Sequence, residues 1–140
     1  MTGRSLTLET SAALPWRSRP AVWCAVGAAR LLTCLAPLRL RQVLEFVRRG
    51  ARPATEAETL RARQAVVAVS VPCAGPRCLQ RSIAGALLCR MRGTWPDWCT
   101  GVRTQPFQAH AWLAVNGKPI GENARDVRYF HVLMTVPSLR

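Results

Sequence analysis

Gln108-Ala109-His110-Ala111-Trp112-Leu113-Ala114-Val115-Asn116-Gly117-Lys118-Pro119-Ile120-Gly121 is the stretch that decides the fold. Period-two alternation places Gln108, His110 and Trp112 on one face of a strand over Gln108–Val115. Asn116-Gly117 is a strong two-residue hairpin turn, with Lys118–Gly121 as the returning strand. Trp98–Arg103 and Tyr129–Val136 read as further strands. The C-terminal part of the chain is therefore an antiparallel sheet.

Upstream, the period changes to that of helices. Ala21–Ala36 is strongly apolar, with Pro20 fitting a first-turn position and Pro37 expected to break it. Leu38–Arg49 carries Leu40, Val43, Leu44 and Val47 on one face, and Gly50 supplies a stop. Thr55 and Glu58 form a capping box before a third helix bearing Leu60, Val66, Val67 and Val69. Ser70–Arg77, with Pro72, Gly75 and Pro76, is a loop. A fourth helix spans Cys78 to Met91, with Leu79, Ile83, Leu87 and Met91 recurring every four residues and Ala84 and Leu88 beside them. Helices followed by an antiparallel sheet make an α+β fold. Residues 1–54 are expected as a helical N-terminal region (1–15 as a flexible lead-in) and 55–140 as the core, within one compact domain.

Composition narrows the function. The 140 residues suffice for one modest core, and 49% hydrophobic residues argue against disorder. The net charge of +13 rests on 20 basic residues, of which only Lys118 is lysine. The arginines are scattered, with no run beyond Arg48-Arg49, so an acidic peptide or protein is a better partner than nucleic acid. Six cysteines stand at 24, 34, 73, 78, 89 and 99. The first 15 residues lack the apolar core of a secretory signal, which points to reduced thiols and a cytoplasmic location. Cys24, Cys34 and Cys89 are expected as small core residues. No CxxC pair suggests a metal site. Arg30 and Pro37 interrupt the apolar run at 21–38, which favours a buried helix over a membrane span, with surface attachment through its basic flanks as the alternative.

Two residues carry the candidate chemistry. Cys78 opens a helix, where unpaired N–H groups and the helix dipole favour a thiolate. The backbone N–H groups of Cys78 and Leu79 are suited to hold an oxyanion. A buried structural thiol is the plain alternative. His110 is a base, or a half-buried histidine satisfied by a hydrogen bond; His131 is the weaker base. Extending the hairpin pairing brings Glu122 near His110, where it can fix the imidazole tautomer, with Asp126 in the following loop as the other choice.

Arg77-Cys78-Leu79-Gln80-Arg81-Ser82, Gly101-Val102-Arg103, Phe107-Gln108-Ala109-His110-Ala111-Trp112 and Asn116-Gly117 together resemble the transglutaminase-like cysteine peptidases that remove leader peptides in lasso-peptide biosynthesis. The resemblance covers roughly the C-terminal half. It implies a papain-like core, Cys78 as nucleophile, His110 as base, and substrate contacts at Arg77, Arg81, Arg103 and Trp112. The third member in that family is usually an aspartate; Glu122 stands at its place here. The resemblance also implies partners: a lasso precursor peptide, a separate leader-recognition protein and an ATP-dependent cyclase. The chain has no phosphate loop, and no cofactor is expected. Two other functions fit the residues: a non-catalytic precursor-binding module, and acyl transfer to an amine.

Overall fold

The computed structural model describes residues 19–69, 78–104, 107–122 and 127–139. Four helices come first in the main: α1 (Arg19–Leu32), α2 (Pro37–Val47), α3 (Glu56–Val69) and α4 (Cys78–Met91). Strand β1 (Arg52–Pro53) lies between α2 and α3, and pairs in parallel with β2 (Thr94–Trp95). Strands β3 (Asp97–Thr104), β4 (Phe107–Val115), β5 (Lys118–Ile120) and β6 (His131–Val136) form an antiparallel sheet in the order β5-β4-β3-β6. The fold is α+β. The expected lead-in at 1–15, the loop at 70–77 and Cys73 lie outside the described residues.

The hairpin follows its sequence signal. Asn116 and Gly117 take φ of 53° and 80°, and Val115 pairs with Lys118, Ala114 with Pro119 and Leu113 with Ile120. The capping box closes as expected: Glu58 N–H donates to Thr55 Oγ1 at 3.1 Å, and Thr55 N–H to Glu58 Oε1 at 3.0 Å. Arg52 then pairs with Glu58 at 2.6 Å, and this contact holds the Glu58 carboxyl down at about 2.

Several expectations are corrected. The first helix stops at Leu32, four residues early. Pro37 does not simply break a helix; it occupies the first turn of the next, which forces Ala36 into extended backbone. Thr33 Oγ1 also donates to the Arg30 carbonyl at 2.6 Å, competing with further helix. Cys24 and Cys34 are exposed, not core, because Val22, Ala25, Val26 and Ala29 form the buried stripe of α1. Leu60 is exposed, and α3 instead buries Thr59, Ala62, Ala65 and Val66. The short β1–β2 bridge carries no periodic signal and was not expected.

Helix α4 is central. Its buried residues include Gln80, Ser82, Ile83, Ala84, Gly85, Ala86, Leu88 and Cys89. Of the expected four-residue stripe, Ile83 is fully buried and Leu79 and Leu87 pack against the core, while Met91 at its end is exposed. A helix buried on several sides loses its amphipathic signature, and the small residues of its middle turn admit close neighbours. One core joins Val22, Leu44, Val66, Ile83, Leu88, Trp95, Trp98, Leu113 and Val136, so all four helices and the sheet share it. A second cluster gathers Cys99, Trp112, Ala114 and Val127, with Phe130 packed against it. Two tryptophans are fully buried with their N–H groups satisfied: Trp98 Nε1 donates to Ser82 Oγ at 3.1 Å, and Trp95 Nε1 to the Val136 carbonyl at 3.1 Å. Among the described residues no helix is long and apolar enough to cross a membrane.

Candidate active site

Strand β5 has only three residues and pairs with β4 no further back than Leu113. The edge of β4 before Leu113 is therefore open on that side. The N-terminus of α4 comes to it, and the Ala111 N–H donates to the Cys78 sulfur. The same edge presents His110, which is hydrogen-bonded to Cys78. The chain beyond β5 turns back over it and delivers Glu122, whose Oε1 lies 2.7 Å from His110 Nε2. With Nε2 given to the carboxylate, Nδ1 is the ring nitrogen left for the thiol. Cys78, His110 and Glu122 thus meet.

Burial is the largest single influence on the Cys78 thiol and opposes its ionisation. The hydrogen bond and charge of His110, the Ala111 N–H and Arg81 outweigh it, so the thiol lies below its ordinary range. His110 is raised to about 9, first by its hydrogen bond to Cys78 and then by Glu122. The lowered thiol and the raised imidazole favour proton transfer from Cys78 to His110, and the two titrate as a coupled unit. The core thiols behave oppositely: burial pushes Cys89 and Cys99 up to about 11. Among the described residues no cluster suited to a metal ion occurs.

Glu122 is itself held from behind. Arg63 Nη2 of α3 lies 3.1 Å from Glu122 Oε2, and Arg81 Nη2 of α4 lies 3.9 Å from the same oxygen. Burial works against the Glu122 charge, but His110, Arg63 and Arg81 together keep its carboxyl below the ordinary value. Gly121 makes room for this arrangement. Its φ is +71°, and a Cβ there would lie 2.6 Å from Arg63 Cδ. On the remaining side, the His110 ring stacks on Trp112 at 5.7 Å and meets Phe130 at 5.5 Å.

The other expected site residues fall as follows. Arg77 and Asp126 lie outside the described residues. Leu79 is in the first turn of α4, where its N–H and that of Cys78 have no helical acceptor. Trp112, expected to contact substrate, is only 4% exposed and serves as the floor beneath the imidazole. Arg81, also expected to contact substrate, points its guanidinium toward Glu122. Arg103 lies over the Phe130 ring at 5.7 Å. His131 sits on β6, opposite Val102, with no contact to the thiol among its described partners.

Sequence reasoning missed Arg63, Gly121 and Phe130. Arg63 had a signal: it shares the helical face of Thr59, Ala62 and Val66, which are buried. A charge on such a face requires a buried partner.

The model of the transglutaminase-like superfamily matches residues 22–135. The chain belongs to the transglutaminase-like superfamily. The match takes in α1 and α2 as well as the sheet, so the helical N-terminal half is part of the family domain. This superfamily includes cysteine proteases and transglutaminases. No curated protein and no solved structure matches the chain significantly. A lowered thiol hydrogen-bonded to an imidazole is the arrangement that thioester-forming attack on a carbonyl carbon requires.

Proposed function

We propose that this protein is a cysteine endopeptidase that removes the leader from a ribosomally made lasso-peptide precursor. The observation that carries the chemistry is the 2.7 Å contact of Glu122 Oε1 with His110 Nε2, beside a Cys78 thiol lowered below its ordinary range. The resemblance of 77–82 and 107–112 to lasso leader peptidases supports the choice of substrate.

Cys78 is the nucleophile. Its thiolate sulfur bonds to the carbonyl carbon at the leader–core junction, and the carbonyl electrons move to oxygen. The N–H groups of Cys78 and Leu79 at the start of α4 hold that oxyanion. The C–N bond then breaks, and His110 gives its Nδ1 proton to the departing amine. A water, deprotonated by His110, cleaves the thioester and frees the carboxylate with Cys78 regenerated. Glu122 fixes the ring and its tautomer throughout. In this scheme a separate leader-recognition protein presents the precursor, and an ATP-dependent cyclase closes the macrolactam on the released core; the work is cytoplasmic.

The test is reconstitution of wild type and Cys78→Ala with candidate precursors and recognition protein. Wild type should release leader and Cys78→Ala should not. Leader release by Cys78→Ala would overturn the assignment. A product carrying an added amine instead of a cut chain would move the function to acyl transfer.

A further inference from the structure

Beyond the thiol and imidazole, the same end of the sheet carries a second set of polar groups. Arg103 pairs with Gln108 on β4, two residues beyond the Gly101–His110 pair. Arg103 and His110 therefore project from the same face, about 7 Å apart along the strands. The Phe130 ring links them, lying 5.5 Å from the His110 ring and 5.7 Å from the Arg103 guanidinium. Arg103, Thr104, Tyr129 and His131 line a surface pocket of about 360 Å³. The buried Arg103 Nε has no hydrogen-bond partner, and among the described residues no carboxylate pairs with this guanidinium.

We infer that this pocket is a substrate subsite for a side-chain carboxylate, an Asp or Glu of the bound peptide. The lining suits that group and few others. The guanidinium offers a planar fork of N–H donors, stiffened by its seat on Phe130. Tyr129 lies at the same rim and brings a further hydroxyl to it. Tyr129 is 70% exposed, so its ring stands free to close on a ligand. An extended peptide advances about 3.3–3.6 Å per residue. A chain crossing Cys78 thus sets the side chain two or three residues from the cleaved bond over Arg103. The net charge of +13 draws anionic peptides toward the protein; Arg103 decides where along the peptide the anion must stand.

This subsite rests on the peptidase reading, and its test is arranged to fail separately. Full-length Cys78→Ala protein is titrated with fluorescent extended peptides in which a single Asp is scanned through every position, and with the matching Asn series. One position should bind about tenfold more tightly as Asp than as Asn. Adding Arg103→Met should erase that difference. Adding Arg103→Glu should transfer the preference at that position to Lys, an outcome that misfolding cannot produce. Equal binding of Asp and Asn at every position would overturn the subsite, as would discrimination that survives Arg103→Met. Binding is read without turnover. Failure of the wild-type protein to cut any precursor therefore bears on the peptidase reading alone.

Discussion

Arg63 and Glu122 stand 59 residues apart in sequence and 3.1 Å apart in space. One carboxylate oxygen takes the arginine while the other takes His110. The length of the glutamate side chain suits this double task, because it reaches the imidazole from a backbone position held back against α3.

Arg63→Met should therefore lower kcat by on the order of 10²-fold, through a misplaced imidazole, with KM much less affected. Arg63→Lys should restore part of the rate. Steady-state kinetics on a cleaved peptide separates this positioning role from general destabilisation, in which kcat and the folded fraction would fall together.

Glu122→Gln should cost about 10²–10⁴-fold in kcat/KM, since it removes the charge opposite the imidazolium while keeping the side-chain length. Glu122→Asp should fall between Gln and wild type, because the shorter side chain cannot span from Arg63 to His110. A Glu122→Asp variant as active as wild type would show that reach is unimportant.

The thiol and imidazole titrations set the pH dependence. The proposed mechanism uses the ion pair, so activity should fall on the acid side as the Cys78 thiolate is protonated. It should fall on the alkaline side as His110 loses its proton near 9. Iodoacetamide should label Cys78 at a pH where an ordinary thiol is silent, and Cys89 and Cys99 should resist it. Mass spectrometry of the labelled peptides reads this out. In Cys78→Ala the largest cause of the raised His110 value is gone. Its NMR titration should move down from about 9 toward the ordinary 6.5, with Glu122 holding it above that.

The same shift predicts a stability profile. His110 is raised from 6.5 to about 9 on folding. Its contribution is then complete below about 6.5 and disappears as pH climbs through about 9. Glu122 is depressed, so its contribution is present above the ordinary 4.5 and is lost as pH falls through its lower folded value. Thermal melts of wild type should show a decline on both flanks, and His110→Gln should flatten the alkaline one.

Ser82→Ala leaves the buried Trp98 Nε1 without its acceptor at 3.1 Å. The expected loss is about 1–3 kcal/mol, read by denaturant unfolding. The pair Ser82→Ala with Trp98→Phe should cost less than the sum of the single changes, because no orphaned N–H remains.

The hairpin, the capping box and the start of α4 were legible because each is fixed by neighbours in sequence: Asn116 with Gly117, Thr55 with Glu58, and Cys78 ahead of an apolar run. The nearness of Glu122 to His110 was expected from the hairpin, but its pairing ends at Leu113 and Ile120, and the contact is made by the chain just beyond β5. Arg63 and Phe130 were harder, since each reaches His110 only through tertiary packing. The placement of Trp112 beneath the imidazole was missed because alternation tells which residues share a face and not which of them the fold covers. Cys24 and Cys34 were misplaced for a related reason: an apolar helix has more apolar residues than its buried stripe can use.

Strand β5 ends early, and the vacant edge it leaves on β4 is filled by the start of α4. Reactivity is therefore a property of the tertiary structure and not of any one segment. The groups that lower the Cys78 thiol are Arg81 on its own helix and His110 and Ala111 on β4. Cys78 and His110 lie 32 residues apart in the chain, so only the fold brings them together. The nucleophile is thus activated by the docking of a helix end on an open strand edge.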